Sequence, residues 1–544
     1  DLVLQEFCAA RFPDGSADLA TVFLERCREF TKRGGSYSLV VQQYWLFLGS
    51  YEELRIKQLR RQSWNAVARL GPGAFEAISG EVVNVALTIL SNSAPVQDQT
   101  IAAIDATGES RAAEKATTLR RGSVGYPSQS DQLKNPDARI TLEEYRPSKP
   151  LGSYLLATEG LSTGDRNRYV HFFWEIPSVS AEWELFQSGT DSNTSLQGFS
   201  EILLWEKGNG ELSRSKAARV QGHAAWGKHG ILVARVSSLL PSIYHGNLFD
   251  KSCVALIPYK MSHLPAIWAF CCSEHFSKEV RRLDKKTYVT TSVFEKISFE
   301  LEYWQASIDP EESLPLPFSN DPTQWLFAGQ AADSSEPLQV AVARLLGYRW
   351  PKQEPDDLDV YADADGLVCL PPVAGELPAA ERLRSLLAAA YGKRWSQAVQ
   401  DRLLAEAGYT GKGLSEWLRD GFFEQHCRVF QNRPFIWHIW DGRSDGFSAL
   451  VNYHKLDTAL LDRLIYTCLG DWIRVQRSDQ DAGVAGADGR LVAALDLQKK
   501  LEAIQRGDPP YDIYVRWKPL HQQPIGWDPD LNDGVRLNIR PLVT

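Results

Sequence analysis

The hydrophobic pattern of the first ninety residues switches between two periods. Leu19, Val22, Phe23, Cys27 and Phe30 recur at helical spacing, which predicts an amphipathic helix. Ser16 is placed to cap its start, and Gly34-Gly35, after Lys32-Arg33, to stop it. Tyr37 to Val41 then reads as a short buried strand, and Ser50 with Glu53 as a capping box that opens a second helix reaching Arg61. Val82 to Leu90 (VVNVALTIL) is β-branched and apolar, as a second buried strand would be. Helix, strand, helix, strand is the order of an α/β domain.

Beyond this unit, placed at 1–95, the periodicity fades. From about Ser93 to Pro150 the chain is rich in Ser, Gln, Asp, Asn and Pro, so a linker is expected over 96–150. Residues 151–320 carry short aromatic-rich runs, Tyr169 to Ile176 and Ile231 to Val236, between Gly-rich turns, which suggests an α+β module. Helical periodicity over 375–425 predicts a helical connecting region at 321–425, and 426–544 returns to mixed strands and loops rich in Trp and Pro. No internal repeat or low-complexity tract is visible.

Composition narrows the class. At 544 residues, 44% hydrophobic and 23% charged, the chain has the make-up of a globular protein with three or four units. No stretch approaches the roughly 18 apolar residues that cross a bilayer, and Asp1 to Phe7 lack the layout of a signal peptide. A cytoplasmic protein without membrane contact is expected. The sole methionine is Met261, so the natural N-terminus is expected to lie upstream. The eight cysteines form no CxxC pair; buried thiols are expected, and no metal site.

The net charge of -9 excludes a protein coated in positive potential. Nucleic-acid binding depends on local charge, however. Between Lys207 and Arg235 six basic residues (Lys207, Arg214, Lys216, Arg219, Lys228, Arg235) face one acid, Glu211. Two other stretches are decoys. Asp363-Ala364-Asp365-Gly366 has the look of a calcium loop, but its first ligand position would be Tyr361 and its closing one Pro372. Gly71-Pro72-Gly73 lacks the GK[ST] ending of a phosphate loop.

The order helix, Gly-Gly, strand, Trp-Leu-Phe-Leu, helix, Phe75 and then Val82-Val83-Asn84-Val85-Ala86-Leu87 resembles the second half of the TaqI-like adenine-N6 methyltransferases. The wording ARLGPGAFEAISGEVVNVALTIL, Ala68 to Leu90, looks more closely like the large methyltransferases of the BREX and DISARM phage-defence systems, and the similarity covers nearly the whole chain. The resemblance implies an α/β fold: a partial Rossmann-like methyltransferase domain, an α+β target-recognition module, and a helical, mixed C-terminal region. It implies S-adenosyl-L-methionine as cofactor, with Phe23 packing on the cofactor's adenine; the residues alone leave Phe23 equally well a core phenylalanine. It also implies that Phe75 stacks on the target adenine after extrusion from the duplex. An extruded base recovers about 1 to 3 kcal/mol on an aromatic face, while simple packing is the alternative role.

Two motifs of the resembling family are missing where the topology requires them, ahead of residue 18: an acidic glycine loop for the cofactor and an Asn-Pro-Pro-Tyr loop for the amine. Asp508-Pro509-Pro510-Tyr511 fits the second loosely, but it follows the end of a helix, Leu501 to Arg506, and a catalytic loop must leave a buried strand. The reading is therefore an internal piece of the enzyme without its catalytic loop.

Gly160 to Tyr169 (GLSTGDRNRY) resembles the opening of the family's target-recognition domain, continued by Trp205-Glu206-Lys207 and by Trp226 to Ile231. There, duplex DNA contact is implied for Arg166, Arg168, Lys207, Arg214, Lys216, Arg219 and Lys228, through phosphates and base edges. Each charge taken singly can equally be solvated surface. Arg281, Arg282, Lys285 and Lys286 read as a solvated helix face. Arg433 to Trp440, Tyr466 to Ile473, Arg516 to Pro519 and the LNDGVRLNIRP stretch near Arg540-Pro541 also look like the defence-system enzymes, with packing the simpler role. The implied activity is site-specific adenine-N6 methylation of DNA beside other defence-system proteins. The alternative is a non-catalytic DNA-binding specificity subunit. A nuclease or helicase ranks below both, since neither a Walker motif nor an Asp-Glu-Lys cluster is present.

Overall fold

Helix α1 spans Leu2–Arg11 and α2 spans Leu19–Phe30. The computed structural model describes residues 2–75, 84–142, 149–189, 198–236, 238–308, 314–315 and 317–524. Asp18, not Ser16, caps α2: its carboxylate accepts from Ala20 N–H at 2.8 Å, while the Ser16 hydroxyl turns back to Pro13 O. The helix ends at Phe30, ahead of the Gly pair, on a Thr31 N–H that bonds the Cys27 and Arg28 carbonyls. Strand β1, Ser36–Gln42, forms where a strand is expected, but it is an edge strand in which only Val41 is buried, not the buried strand the sequence suggests. Helix α3, Glu52–Arg61, has Tyr51 at its cap position and no side-chain cap, so the Ser50 capping box does not form.

Strand β2, Ser63–Gly71, is hidden in the sequence. Asn65 and Arg69 interrupt its apolar run, yet Arg69 is buried and reaches Asp105 at 3.2 Å. Strand β3, Val85–Ser91, matches the described part of the second expected strand, whose Val82 and Val83 lie outside the described residues. Strand β4 is Ala102–Asp105. The sheet order is β1-β3-β2-β4, with β3 antiparallel to both neighbours and β2 parallel to β4. One face packs on Leu24, Trp45, Leu46, Leu54 and Leu59. On the other, Leu119 of helix α4, Ala112–Arg121, meets Leu70, Val85 and Ala106.

The expected linker over 96–150 therefore contains β4 and α4. Its polar residues are structural, and that is why polarity misled. The Gln129 side chain donates to Leu59 O and Gln62 O and accepts from Trp64 N–H, replacing water for the backbone of a buried strand end.

The chain forms two compact units. One comprises Asp1–Thr158, Val233–Pro241 and Val254–Leu314; the other comprises Glu159–Leu232, Ser242–Cys253 and Pro315–Thr544. In the second, strands Val170–Phe172, Glu201–Leu204 and Trp183–Gln187 run antiparallel in that order, and Leu248–Phe249 adds in parallel at the Trp183–Gln187 edge. Helices Ala379–Tyr391, Gln397–Glu406, Leu414–Asp420 and Phe422–Val429 fill the stretch with helical periodicity. Strands Leu367–Cys369, Ser448–Asn452 and Ile436–Trp440 form another of the four described sheets.

The C-terminal part is more helical than its composition suggests. A π-helical stretch Arg463–Leu469 leads into helix Gly470–Asp481, and Ala487–Arg506 packs beside it. Asp508-Pro509-Pro510-Tyr511 is the turn after that last helix, not the end of a strand. Five cysteines are buried, Cys27 and Cys427 are half-buried, and Cys272 is exposed, which corrects the expectation that all are buried. No described helix is long and apolar enough to cross a membrane.

Candidate nucleic-acid interface

Two glycines set the backbone of the segment that opens at Gly160. A Cβ on Gly160 would stand 2.3 Å from Asp250 O, and one on Gly164 (φ +75°) 2.6 Å from Ala217 O. Only glycine permits that approach. Ser162 and Arg219 exchange backbone hydrogen bonds at 3.0 and 2.8 Å, so the backbone of Arg219 is fixed while its side chain is exposed. Asp165 then caps the short turn Arg166–Tyr169, its side chain accepting from Arg168 N–H.

The sequence-predicted cations separate into two groups. Arg166 is held from both sides, at 2.6 Å by Glu201 and 2.7 Å by Asp250. Burial opposes its charge, but the two carboxylates outweigh burial and raise its pKa. Arg168 pairs with Glu211 and lies 5.3 Å from the Tyr169 ring centroid. It lines an open cleft of about 380 Å³ together with Asp165, Tyr169, Glu211 and Arg214. Arg214 donates from Nε to Gly210 O at 3.2 Å. Arg235, counted with the cluster in the sequence, is buried instead, donating to Val289 O and lying 4.2 Å from the Tyr288 ring centroid.

Lys207, Lys216, Arg219 and Lys228 form the other group. All four are exposed, and among the described residues no carboxylate pairs with them. Lys207 sits in a run of three left-handed residues: Glu206 at φ 49°, Lys207 at φ 55° and Gly208 at φ 78°. Left-handed backbone at a non-glycine residue costs about 1 to 3 kcal/mol and persists where surroundings fix it. Here the Glu206 carboxylate accepts from Glu211 N–H, and Trp205 packs edge-on against Trp226, with His223 4.2 Å from the Trp226 ring. The result is a fixed loop that presents a lysine to solvent.

In the N-terminal unit, Phe75 is 45% and Phe23 is 53% exposed, so neither is a core side chain. Phe75 follows Gly71 and Gly73, both at positive φ; a Cβ on Gly73 would meet Ser110 O at 2.5 Å. The loop's root is anchored by a residue the sequence did not point to. Lys115 is buried and donates to Leu70 O at 2.6 Å, Ala106 O at 3.0 Å and Glu109 O. In the basic run further on, Arg282 pairs with Glu279 and Lys285 with Asp105.

No family model matches the chain. Among curated proteins, the adenine-specific methyltransferase PglX of Lacticaseibacillus casei (strain Zhang) is 22% identical in an alignment that covers 84% of this chain and 48% of PglX. The chain resembles a large adenine-specific methyltransferase. The adenine-specific methyltransferase BrxX of Escherichia coli O9:H4 (strain HS) is 38% identical over 90 residues, 16% of this chain and 8% of BrxX. The chain thus spans about half the length of PglX, and the resemblance read from its motifs is borne out by these relatives. Among solved structures, the Type IIL restriction-modification enzyme MmeI in complex with DNA matches at TM-score 0.32 and 11% identity, over 76% of this chain and 52% of that one. The DrdV–DNA complex matches at TM-score 0.31 and 12% identity, over 55% and 40%.

Proposed function

We propose that the chain is part of a site-specific DNA adenine-N6 methyltransferase of a BREX- or DISARM-type defence system that uses S-adenosyl-L-methionine. The likeness to PglX along 84% of the chain carries this reading. Residues 1–95, together with β4 and α4, serve as the C-terminal half of a Rossmann-like catalytic domain, and the segment from Gly160 to Lys228 recognises the target duplex. The sheet order β1-β3-β2, with its central strand antiparallel, and the exposed Phe75 beyond β2 support the first assignment.

The cofactor, when bound, supplies an electrophilic methyl group on sulfur. Phe23 is exposed, and its ring would pack on the cofactor's adenine. Phe75 offers the second ring, on which an extruded target base recovers the stacking it lost. The strand end from which its loop leaves is held by Lys115. Lys207, Lys216, Arg219 and Lys228 neutralise phosphates and fix register, and the neighbouring polar side chains read base edges.

The test is methylation by the complete enzyme of a duplex with 2-aminopurine or adenine at the target position. Phe75→Ala should lower the methylation rate by ten-fold or more, with the fluorescence of the extruded 2-aminopurine changed. A variant as fast as the parent removes the stacking role. DNA binding with no methyl transfer by the complete protein would favour the specificity-subunit alternative.

A further inference from the structure

The unit containing Pro315–Thr544 carries a second cationic feature, far from the 205–228 cluster in sequence. Lys455 and Arg516 line an open cleft of about 640 Å³ with Asp365, His454, Asp457 and Arg463. A neighbouring cleft of about 470 Å³ shares His454 and Lys455 and is walled by Tyr348 and Trp350. We propose that Lys455 and Arg516 form a second phosphate-binding site, which takes a backbone phosphodiester of the bound duplex. The proposal rests on the DNA-binding reading above.

The backbone is shaped around the lysine. A Cβ on Gly347 would lie 2.5 Å from Lys455 Nζ, and one on Gly366 2.8 Å from its Cδ. Both glycines have positive φ, 69° and 74°, so a side chain there is disfavoured by conformation, while the close approach is to the flexible lysine itself. The ammonium they leave room for meets backbone carbonyls, Asp363 O at 3.4 Å and Ala364 O at 3.0 Å, and no described carboxylate. Its positive charge is therefore not cancelled.

Arg516 is similarly placed. Its guanidinium carbon lies 3.8 Å from the Tyr453 ring centroid, and Nη2 donates to Tyr453 O at 2.9 Å. Nη1 has no hydrogen-bond partner among the described residues, although it is shielded from solvent. Of the nearby acids two are paired with a cation, whereas Asp457, which lines the cleft, pairs with no described cation. Asp365 and Glu376 both bind Arg463, and the Asp457 carboxylate accepts from Leu460 N–H at 2.8 Å. Burial pushes the pKa of His454 down to about 4, so at neutral pH it adds no charge, and its Nε2 is fixed on Trp174 O at 2.9 Å. What remains is an ammonium and a planar guanidinium that line the same cleft, a pairing that suits phosphate oxygens once the shielded Nη1 turns outward. The alternative role is a structural staple between loops.

The experiment is duplex-DNA binding by the full chain, followed by fluorescence anisotropy from about 50 to 200 mM salt. Lys455→Met combined with Arg516→Met should lower the slope of log K against log salt by about 0.9 per lost contact, and Lys455→Met alone by about 0.9. Lys455→Arg combined with Arg516→Lys should retain most of the parent slope. If the Met pair leaves the slope unchanged while neutralising Lys207, Lys216, Arg219 and Lys228 lowers it, the second site is wrong and the DNA reading stands. If the charge-retaining pair loses as much as the Met pair, the residues are a staple and the proposal fails. A parent chain that does not bind duplex DNA overturns both.

Discussion

The ammonium of Lys115 lies 2.6 Å from the carbonyl oxygen of Leu70, where β2 ends and the loop to Phe75 begins. It also takes up Ala106 O and Glu109 O, so one buried cation satisfies three carbonyls on two segments. Lys115→Met keeps most of the stem and removes every donor. A buried acceptor left bare costs about 1 to 3 kcal/mol, so thermal unfolding should show the N-terminal unit destabilised by that order. Amide exchange at residues 70 to 75 should accelerate more than exchange in α3. Equal acceleration in both would show that Lys115 supports the unit as a whole and not the loop.

Arg166 was expected on DNA, and the structure gives it two carboxylates of its own, Glu201 and Asp250. Both acids are mostly buried and the arginine is about half exposed, so the triad lies between a surface pair and a buried one. Arg166→Ala strands two acids and should cost about 2 kcal/mol in thermal unfolding. The salt dependence of DNA binding should stay at the parent value. A lower slope in this variant would return Arg166 to the interface.

These two residues also mark where sequence reading stops. The presence of helix α2 and strand β1 was legible because their periods are local, but their buried faces were not, since Leu19, Phe23 and Phe30 are exposed and Val41 alone is buried in β1. Residues three, four or two apart share a face, whatever the rest of the chain does. Ser16 and Ser50 carried the right chemistry for caps, but the helices begin elsewhere, and competing caps a few residues apart differ by less than the surrounding packing. Lys115 and Arg166 are decided by partners 45, 35 and 84 positions away. No spacing announces such a pairing. Strand β2 was missed for the same reason, since the buried Arg69 that breaks its apolar run is compensated by Asp105, on a different strand. The exposed, carboxylate-free group was half legible. A sequence shows six cations against one acid, and only the fold shows that Arg235 is taken by Val289 and Tyr288.

His426 gives the second unit a dependence on pH. It is fully buried, with Nδ1 3.2 Å from the Gln339 side-chain oxygen and Nε2 accepting from Ile436 N–H at 3.2 Å. One nitrogen donates and the other accepts, so the fold holds the neutral ring. Burial lowers its pKa from 6.5 to about 3. Between those values the unfolded chain binds the proton and the folded one does not. Stability is therefore complete above pH 6.5 and falls as pH drops toward 3, by up to about 1.4 kcal/mol per unit. Denaturant titrations of the parent and of His426→Phe should show a shallower pH slope in the variant, which is itself less stable because Gln339 and Ile436 lose their partner. Parallel slopes would mean that His426 does not titrate in this window.

The four exposed cations Lys207, Lys216, Arg219 and Lys228 carry the last prediction. If they contact phosphates, each releases condensed counterions when DNA binds. Replacing all four with glutamine should then lower the magnitude of the salt slope by up to about 3.6, at about 0.9 per contact. Affinity should fall by a similar factor on specific and unrelated duplexes, because phosphates carry no sequence information. Lys207 differs from the other three. Its left-handed backbone, with Glu206 and Gly208, places it on a loop fixed by the Trp205–Trp226 contact. Lys207→Gln alone should therefore leave melting unchanged yet reduce the slope, whereas Trp226→Ala should loosen the loop and weaken specific binding more than non-specific binding. A quadruple variant with the parent's slope would show the group to be ordinary solvated surface.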